Sequence, residues 1–162
     1  MPRVLLYAPQ DFRNLCVVSR TLEVLGYDEC LVFDPERLVR ERYGKSRTRE
    51  ARVVSAGAFE KLRFVRLEDP GAYLREHAGR TVATVAAPDA PRLERFRFAA
   101  TDLVVFGSES RGLPPEIVTA CSATLTIASA GTTQSLNLAV ALGIVLFEAE
   151  RQLGASERRR GE

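Results

Sequence analysis

The chain has no tryptophan, one histidine, one methionine and three cysteines among 162 residues. With His77 alone, neither a histidine-rich metal site nor a Ser-His-Asp triad can be assembled, so much hydrolase chemistry is excluded. Cys16, Cys30 and Cys121 are odd in number and widely spaced, which fits reduced structural thiols and supplies no CxxC metal clip. No apolar run reaches the roughly eighteen residues that would span a bilayer. The start, Met1-Pro2-Arg3-Val4, lacks the apolar segment of a signal peptide, and a cytoplasmic protein is expected.

What is present is ordinary globular material: 46% apolar residues, 27% charged, and a net charge of +2. The length suits one domain, read as residues 1–154, with a basic tail at 155–162 carrying Arg158, Arg159 and Arg160. Charge is distributed unevenly. Ten cations lie between Arg37 and Arg66, an excess that would attract phosphates or simply form a solvated face.

Apolar runs at Val4–Tyr7, Cys30–Phe33, Phe64–Leu67, Thr81–Ala86, Leu103–Phe106 and Ala123–Ile127 predict short buried strands. Between them, Leu15, Val18, Leu22 and Leu25 recur at helical spacing up to Gly26, and prolines open short helices near Pro70–His77 and Pro114–Ala120. Such alternation predicts an α/β fold, a parallel sheet with helices on both faces. The polar stretch Lys45–Arg52 reads as a mobile loop, and 88–97 as another. From Leu138 to Phe147 every residue is apolar or glycine, so this helix needs cover on two sides. The sheet supplies one side, and either a second subunit or the chain's own loops the other, with Gly143 permitting close helix approach at a subunit contact.

The stretch from Leu103 to Ile117 runs a buried strand into a turn holding Glu109, Arg111 and two glycines. Ligands of parallel sheets gather at the carboxyl ends of strands. Gly107 and Gly112 have P-loop spacing, but Leu113 and Pro114 follow instead of Lys-Ser/Thr.

Three segments in order, Asn14 with Arg20 six residues on, then Gly107, Glu109 and Gly112, then Ser135-Leu136-Asn137 opening the last helix, resemble the three motifs of the TrmH (SpoU) branch of the SPOUT methyltransferases. The segment Val54–Leu62 is also similar, and the length resembles that of compact TrmL-like members. The chain departs from the family pattern at Cys16, where glycine is usual, and at Ile127-Ala128-Ser129, where Ile-Pro-Met is frequent.

The resemblance implies an α/β fold with a deep trefoil knot near the C-terminus, a homodimer packed through the first and last helices, and S-adenosylmethionine-dependent methylation of an RNA ribose 2′-hydroxyl. It implies cofactor contacts at Thr84, Gly107, Ile127, Ser135 and Leu136, and catalytic roles for Arg20, Asn14, Glu109, Ser135 and Asn137. Arg20, Arg47, Arg49 and Arg111 are the expected RNA contacts, with tRNA favoured over rRNA and no metal. Arg111 could instead pair with Glu109, and Ser135 could cap the last helix. Two rivals remain: an RNA-binding or assembly factor that kept the fold without catalysis, and a small flavodoxin-like nucleotide-dependent enzyme.

Overall fold

A computed structural model describes residues 1–40, 44–133 and 135–154. The basic tail and Arg42 therefore lie outside the described residues. Among the described residues six strands form where the apolar runs predict them: β1 Arg3–Tyr7, β2 Glu29–Phe33, β3 Arg63–Arg66, β4 Thr81–Thr84, β5 Leu103–Phe106 and β6 Ala123–Leu125. They make one sheet in the order β3-β2-β1-β5-β4-β6. Every pairing is parallel, with Val4 opposite Val104 and Val82 opposite Val104 fixing the centre. All four residues of β5 are buried, as a strand flanked and covered on both sides requires.

Alternate residues along each strand face opposite layers. Val4, Leu6, Cys30, Val32 and Val104 join the larger core with helices α1 (Phe12–Leu25) and α6 (Leu138–Leu153). Leu5, Leu31, Leu103 and Val105 face the smaller one, against α4 (Pro70–Glu76) and α5 (Pro115–Ala120). Leu22 on α1 and Leu146 on α6 are fully buried, each contributing about 1.5–3 kcal/mol of transfer free energy. α1 stops at Gly26, whose φ of 82° lets its N–H return to the helix carbonyls.

The stretch Lys45–Arg52, expected as a loop, is helical: α2 spans Lys45–Ser55, followed by the short α3, Ala58–Lys61. Lysine, arginine, glutamate and alanine favour helix intrinsically, and the helix buries only Ala51 and Ser55. The Ser55 hydroxyl donates to the Ala51 carbonyl at 2.6 Å and accepts from Phe59 N at 3.1 Å, binding α2 to α3. The region 88–97, also read as loop, holds a 3₁₀ turn at Leu93–Arg95 that buries Leu93. β4 and β6 stop two residues earlier than their apolar runs because the chain there leaves the sheet toward the strand-end loops.

The apolar run on α6 is divided between two environments. Leu138, Leu142, Val145 and Leu146 are buried, whereas Val140, Ile144 and Phe147 are 50%, 40% and 63% exposed. On the adjoining α1, Val17 and Val24 are exposed too, so one apolar face crosses both helices. Gly143 faces the chain's own α1: a Cβ there would lie 3.6 Å from the Thr21 methyl. Among the described residues no helix is long and apolar enough to cross a membrane.

Candidate active site

The turn after β5 closes on itself. Ser108 N donates to Gly112 O at 3.1 Å and Gly112 N returns the bond to Ser108 O at 2.9 Å. Gly112 takes φ +64°, and a Cβ on Gly107 would sit 2.2 Å from Gly112 C and 2.4 Å from Leu113 N. The first glycine of the motif is thus required by the loop's own backbone.

Glu109 projects from this turn to the start of α1. Its carboxylate accepts from Gln10 N at 2.9 Å, Asp11 N at 3.3 Å and Asn14 Nδ2 at 3.0 Å. A carboxylate is favoured there, where unpaired N–H groups and the helix dipole meet it. Gln10 completes the clasp by accepting from the Ser110 hydroxyl at 2.6 Å. Sequence reasoning missed Gln10 and Ser110, and their only signal was polarity beside two motifs.

Asn14 continues the chain of contacts by accepting at Oδ1 from Asn137 Nδ2 at 2.9 Å. Asn137 Oδ1 in turn accepts from Ala139 N at 2.9 Å and Val140 N at 3.4 Å, capping α6. The order of donors is fixed from both ends. Glu109 can only accept, so Asn14 must present its NH₂ there and its carbonyl to Asn137; the helix N–H groups can only donate, so Asn137 must present its carbonyl to them. One residue from each of the three motifs is thereby locked in a single relay.

The other expected site residues stand apart from it. Asn137, not Ser135, caps α6, because its side chain reaches the first-turn N–H groups. Ser135 and Leu136 are exposed, and Ser135 makes no hydrogen bond among the described residues. The Thr84 hydroxyl at the end of β4 donates to Val105 O at 2.9 Å, and half-buried Ile127 follows β6 against the larger core. β5, β4 and β6 are neighbours in the sheet, so Gly107, Thr84 and Ile127 leave it along one edge. No backbone group from Ile127 to Leu136 pairs with another backbone group among the described residues.

Arg20 is exposed on α1. Six residues beyond Asn14 place it about 9 Å along the helix and well round its circumference, on the side of Val17 and Val24. Arg111 is also exposed, and no ion pair joins it to Glu109 among the described residues, since the carboxylate is engaged with α1. Arg47 and Arg49 lie on α2, with the Arg47 guanidinium 5.0 Å from the Phe12 ring centre.

The basic stretch is partly neutralised. Arg52, Lys61, Arg63 and Arg66 pair with Glu60, Glu23, Glu29 and Asp34. Cys16 is buried in the core, and burial pushes its thiol up to about 11. Among the described residues no cluster of histidine, cysteine and carboxylate groups is placed to hold a metal.

Residues 1–147 match the family described as SpoU rRNA Methylase. The chain is 32% identical over 146 residues to the 23S rRNA (guanosine-2'-O-)-methyltransferase RlmB of Acinetobacter baylyi, covering 88% of this chain and 56% of that protein. It thus spans about half the length of the curated relatives it matches first. A solved structure concerned with 2-OH methylation of C/U34 on tRNA superimposes with a TM-score of 0.80 at 30% identity, covering 96% of this chain and 97% of the other. An AdoMet-bound rRNA methyltransferase from Sinorhizobium meliloti gives a TM-score of 0.76 at 27% identity over 94% and 56% of the two chains. With the glycine turn, the relay and the matched residues concurring, the chain belongs to the SpoU methylase family.

Proposed function

We propose that the chain is a cytoplasmic, homodimeric RNA 2′-O-ribose methyltransferase using S-adenosylmethionine without a metal, with tRNA favoured as substrate. The observation that carries this reading is the Glu109–Asn14–Asn137 relay, which draws together all three family motifs at the carboxyl edge of the sheet. The relatives' names support RNA as substrate, and a tRNA-related neighbour is matched along nearly its whole length. Unpaired thiols suit a reducing compartment.

The cofactor fits the loops after β5, β4 and β6. Open backbone groups between Ile127 and Leu136 can read an adenine edge, while half-buried Ile127 and 49% exposed Leu136 offer it apolar faces. When bound, S-adenosylmethionine supplies an electrophilic methyl group. The relay fixes the Gly107–Gly112 turn and the start of α6 relative to each other, so both sides of that pocket hold one geometry. Thr84, its hydroxyl already committed to β5, contributes through its backbone and by positioning the loop. Ser135, exposed and without a hydrogen bond among the described residues, can reach cofactor or ribose.

A ribose hydroxyl is a weak nucleophile at neutral pH. Arg20 stabilises the developing alkoxide and grips an adjacent phosphate, while the proton leaves to that phosphate or to water. A guanidinium with a pKa above roughly 12 does not serve as the base. Arg111, Arg47 and Arg49 add phosphate contacts from the turn and from α2. A second copy covers Val17, Val24, Val140, Ile144 and Phe147, which brings Arg20 to the subunit seam and shields it from water. The family's trefoil thread would be made between β6 and α6, where the chain returns from a sheet edge to α1.

The test is methyl incorporation from labelled cofactor into unmodified RNA. Arg20→Ala should lower turnover by about a hundredfold or more while cofactor affinity stays near wild type, the scale for losing one preorganised charge-stabilising group. Near wild-type turnover would remove Arg20 from the mechanism, and absence of cofactor binding by the wild type would refute the enzyme.

A further inference from the structure

A second feature occupies the same carboxyl edge, at the ends of β2 and β3. A cavity of about 200 Å³ is lined there by Phe33, Pro35, Arg37, Arg66, Leu67 and Glu68, with Asp34 beneath. The loop that forms it is built with care. The Asp34 carboxylate, its side chain wholly buried, accepts from Leu38 N and Val39 N at 2.8 Å each and from Arg66 at 3.3 Å. Arg66 also donates to Val39 O at 2.6 Å, and Leu38 and Val39 pack on the larger core. Between these anchors Arg37 is held at φ 52°, a left-handed conformation that non-glycine residues seldom adopt, with its side chain exposed. Beside it the Phe33 and Tyr7 rings, both half-buried, meet at 5.0 Å between centres.

We propose that this cavity is an RNA subsite, taking the base and phosphate of a nucleotide adjoining the one methylated. It rests on the RNA methyltransferase reading above. The volume falls below the roughly 300 Å³ at which pockets begin to enclose whole small ligands, so it suits one part of a larger molecule. A partly exposed aromatic pair beside an outward guanidinium offers a stacking platform and a phosphate contact, the two features by which single-stranded RNA is held. Asp34 is consumed by the loop, and Glu68 is left at the rim as an acceptor for an amino group on the base rather than as a place for a second phosphate. Only β1 separates β2 from β5, so the cavity, set at the ends of β2 and β3, lies two to three strand spacings, about 10–15 Å, from where Gly107 leaves the sheet. A nucleotide next to the target in an unstacked strand reaches that far.

The experiment measures binding of unmodified tRNA transcripts across a salt series, beside cofactor titration, urea unfolding and methyl transfer to the same transcripts. Arg37→Asn removes the charge while placing a residue that tolerates the left-handed conformation. Its affinity for RNA should fall several-fold at low salt, and the slope of log affinity against log salt should shrink by nearly one. Phe33→Leu should weaken RNA binding by roughly tenfold with the slope unchanged. In both, cofactor affinity should hold; the urea midpoint should hold or rise in Arg37→Asn and fall only slightly in Phe33→Leu, which gives up the ring contact with Tyr7. If the wild type binds and methylates the transcripts and both variants bind them equally well, the subsite is overturned and the enzyme reading stands. If RNA affinity falls only in step with cofactor affinity or folding, the subsite is likewise overturned. A wild type that neither binds nor methylates the transcripts overturns both.

Discussion

Asn137→Asp is the sharpest probe of the relay, because it changes one atom and spares the helix cap. Aspartate caps as well as asparagine, so the bonds from Ala139 N and Val140 N survive. What is lost is the donor to Asn14 Oδ1, now faced by an oxygen across the 2.9 Å contact. If Asn14 turns its amide over to donate to the new carboxylate, its own carbonyl faces Glu109 Oε1 across 3.0 Å instead. Either way one hydrogen bond becomes an oxygen–oxygen contact. For an amide pair that water can partly reach, the cost is about 1–2 kcal/mol. With a urea dependence of about 2 kcal/mol/M, the unfolding midpoint falls by about 0.5–1 M.

Adding Glu109→Gln reverses the polarity of the relay. The glutamine carbonyl can keep the 2.9 Å bond from Gln10 N while its NH₂ donates to the turned Asn14, and only the longer 3.3 Å bond from Asp11 N is given up. The double variant should therefore be more stable than the sum of the single effects by about 1 kcal/mol. Protein concentration must be held constant, since any self-association would add to the apparent stability. Additivity within about 0.3 kcal/mol would show that the three side chains do not act as one directed chain.

Gly107→Ala should destabilise more than Gly112→Ala. The new Cβ at 107 meets backbone at 2.2 Å, whereas at 112 it meets open space and only the φ of +64° opposes it, about 1–2 kcal/mol; equal urea midpoints would contradict this. Phe147→Asp, at a side chain 63% exposed, should leave the fold intact and yield monomers in sedimentation, while the wild type sediments as a dimer; a wild-type monomer at micromolar concentration refutes the interface. Hydrogen bonds from Arg151 and then Gln152 hold the Glu148 carboxyl down at about 2, from an ordinary value of 4.5. Its contribution is present above pH 4.5 and lost as pH falls toward 2. The stability gap between wild type and Glu148→Gln should therefore close across that interval, and a pH-independent gap would exclude the effect.

All six strands were legible because each is a short apolar run bounded by polar or turn-forming residues. The helix Lys45–Ser55 was not, since its exposed face leaves hardly any apolar periodicity and only Ala51 and Ser55 are buried. Helix propensity in Arg-Glu-Ala-Arg was the signal that polarity masked. At the site, the resemblance named Asn14, Glu109 and Asn137 separately. Their mutual bonding could not be read, because it depends on which strand ends become neighbours, and β5 lies beside β1 only after a long excursion. Choosing Asn137 over Ser135 as the cap turned on two residues, finer than sequence patterns resolve. The Asp34 loop left no pattern at all, since its bonds run to backbone groups and to an arginine 32 residues away.

The contact from Asn137 to Asn14 spans 123 residues of chain. A nascent polypeptide thus carries its first motif into solution long before the last is made, and loop closure over such a distance favours slow, late assembly. Until residue 137 has emerged, Asn14 and the Gly107–Gly112 turn lack the partner that completes the relay. Translation itself consequently schedules assembly of the site: a growing chain held at the ribosome cannot close the relay before its own synthesis has passed the final motif.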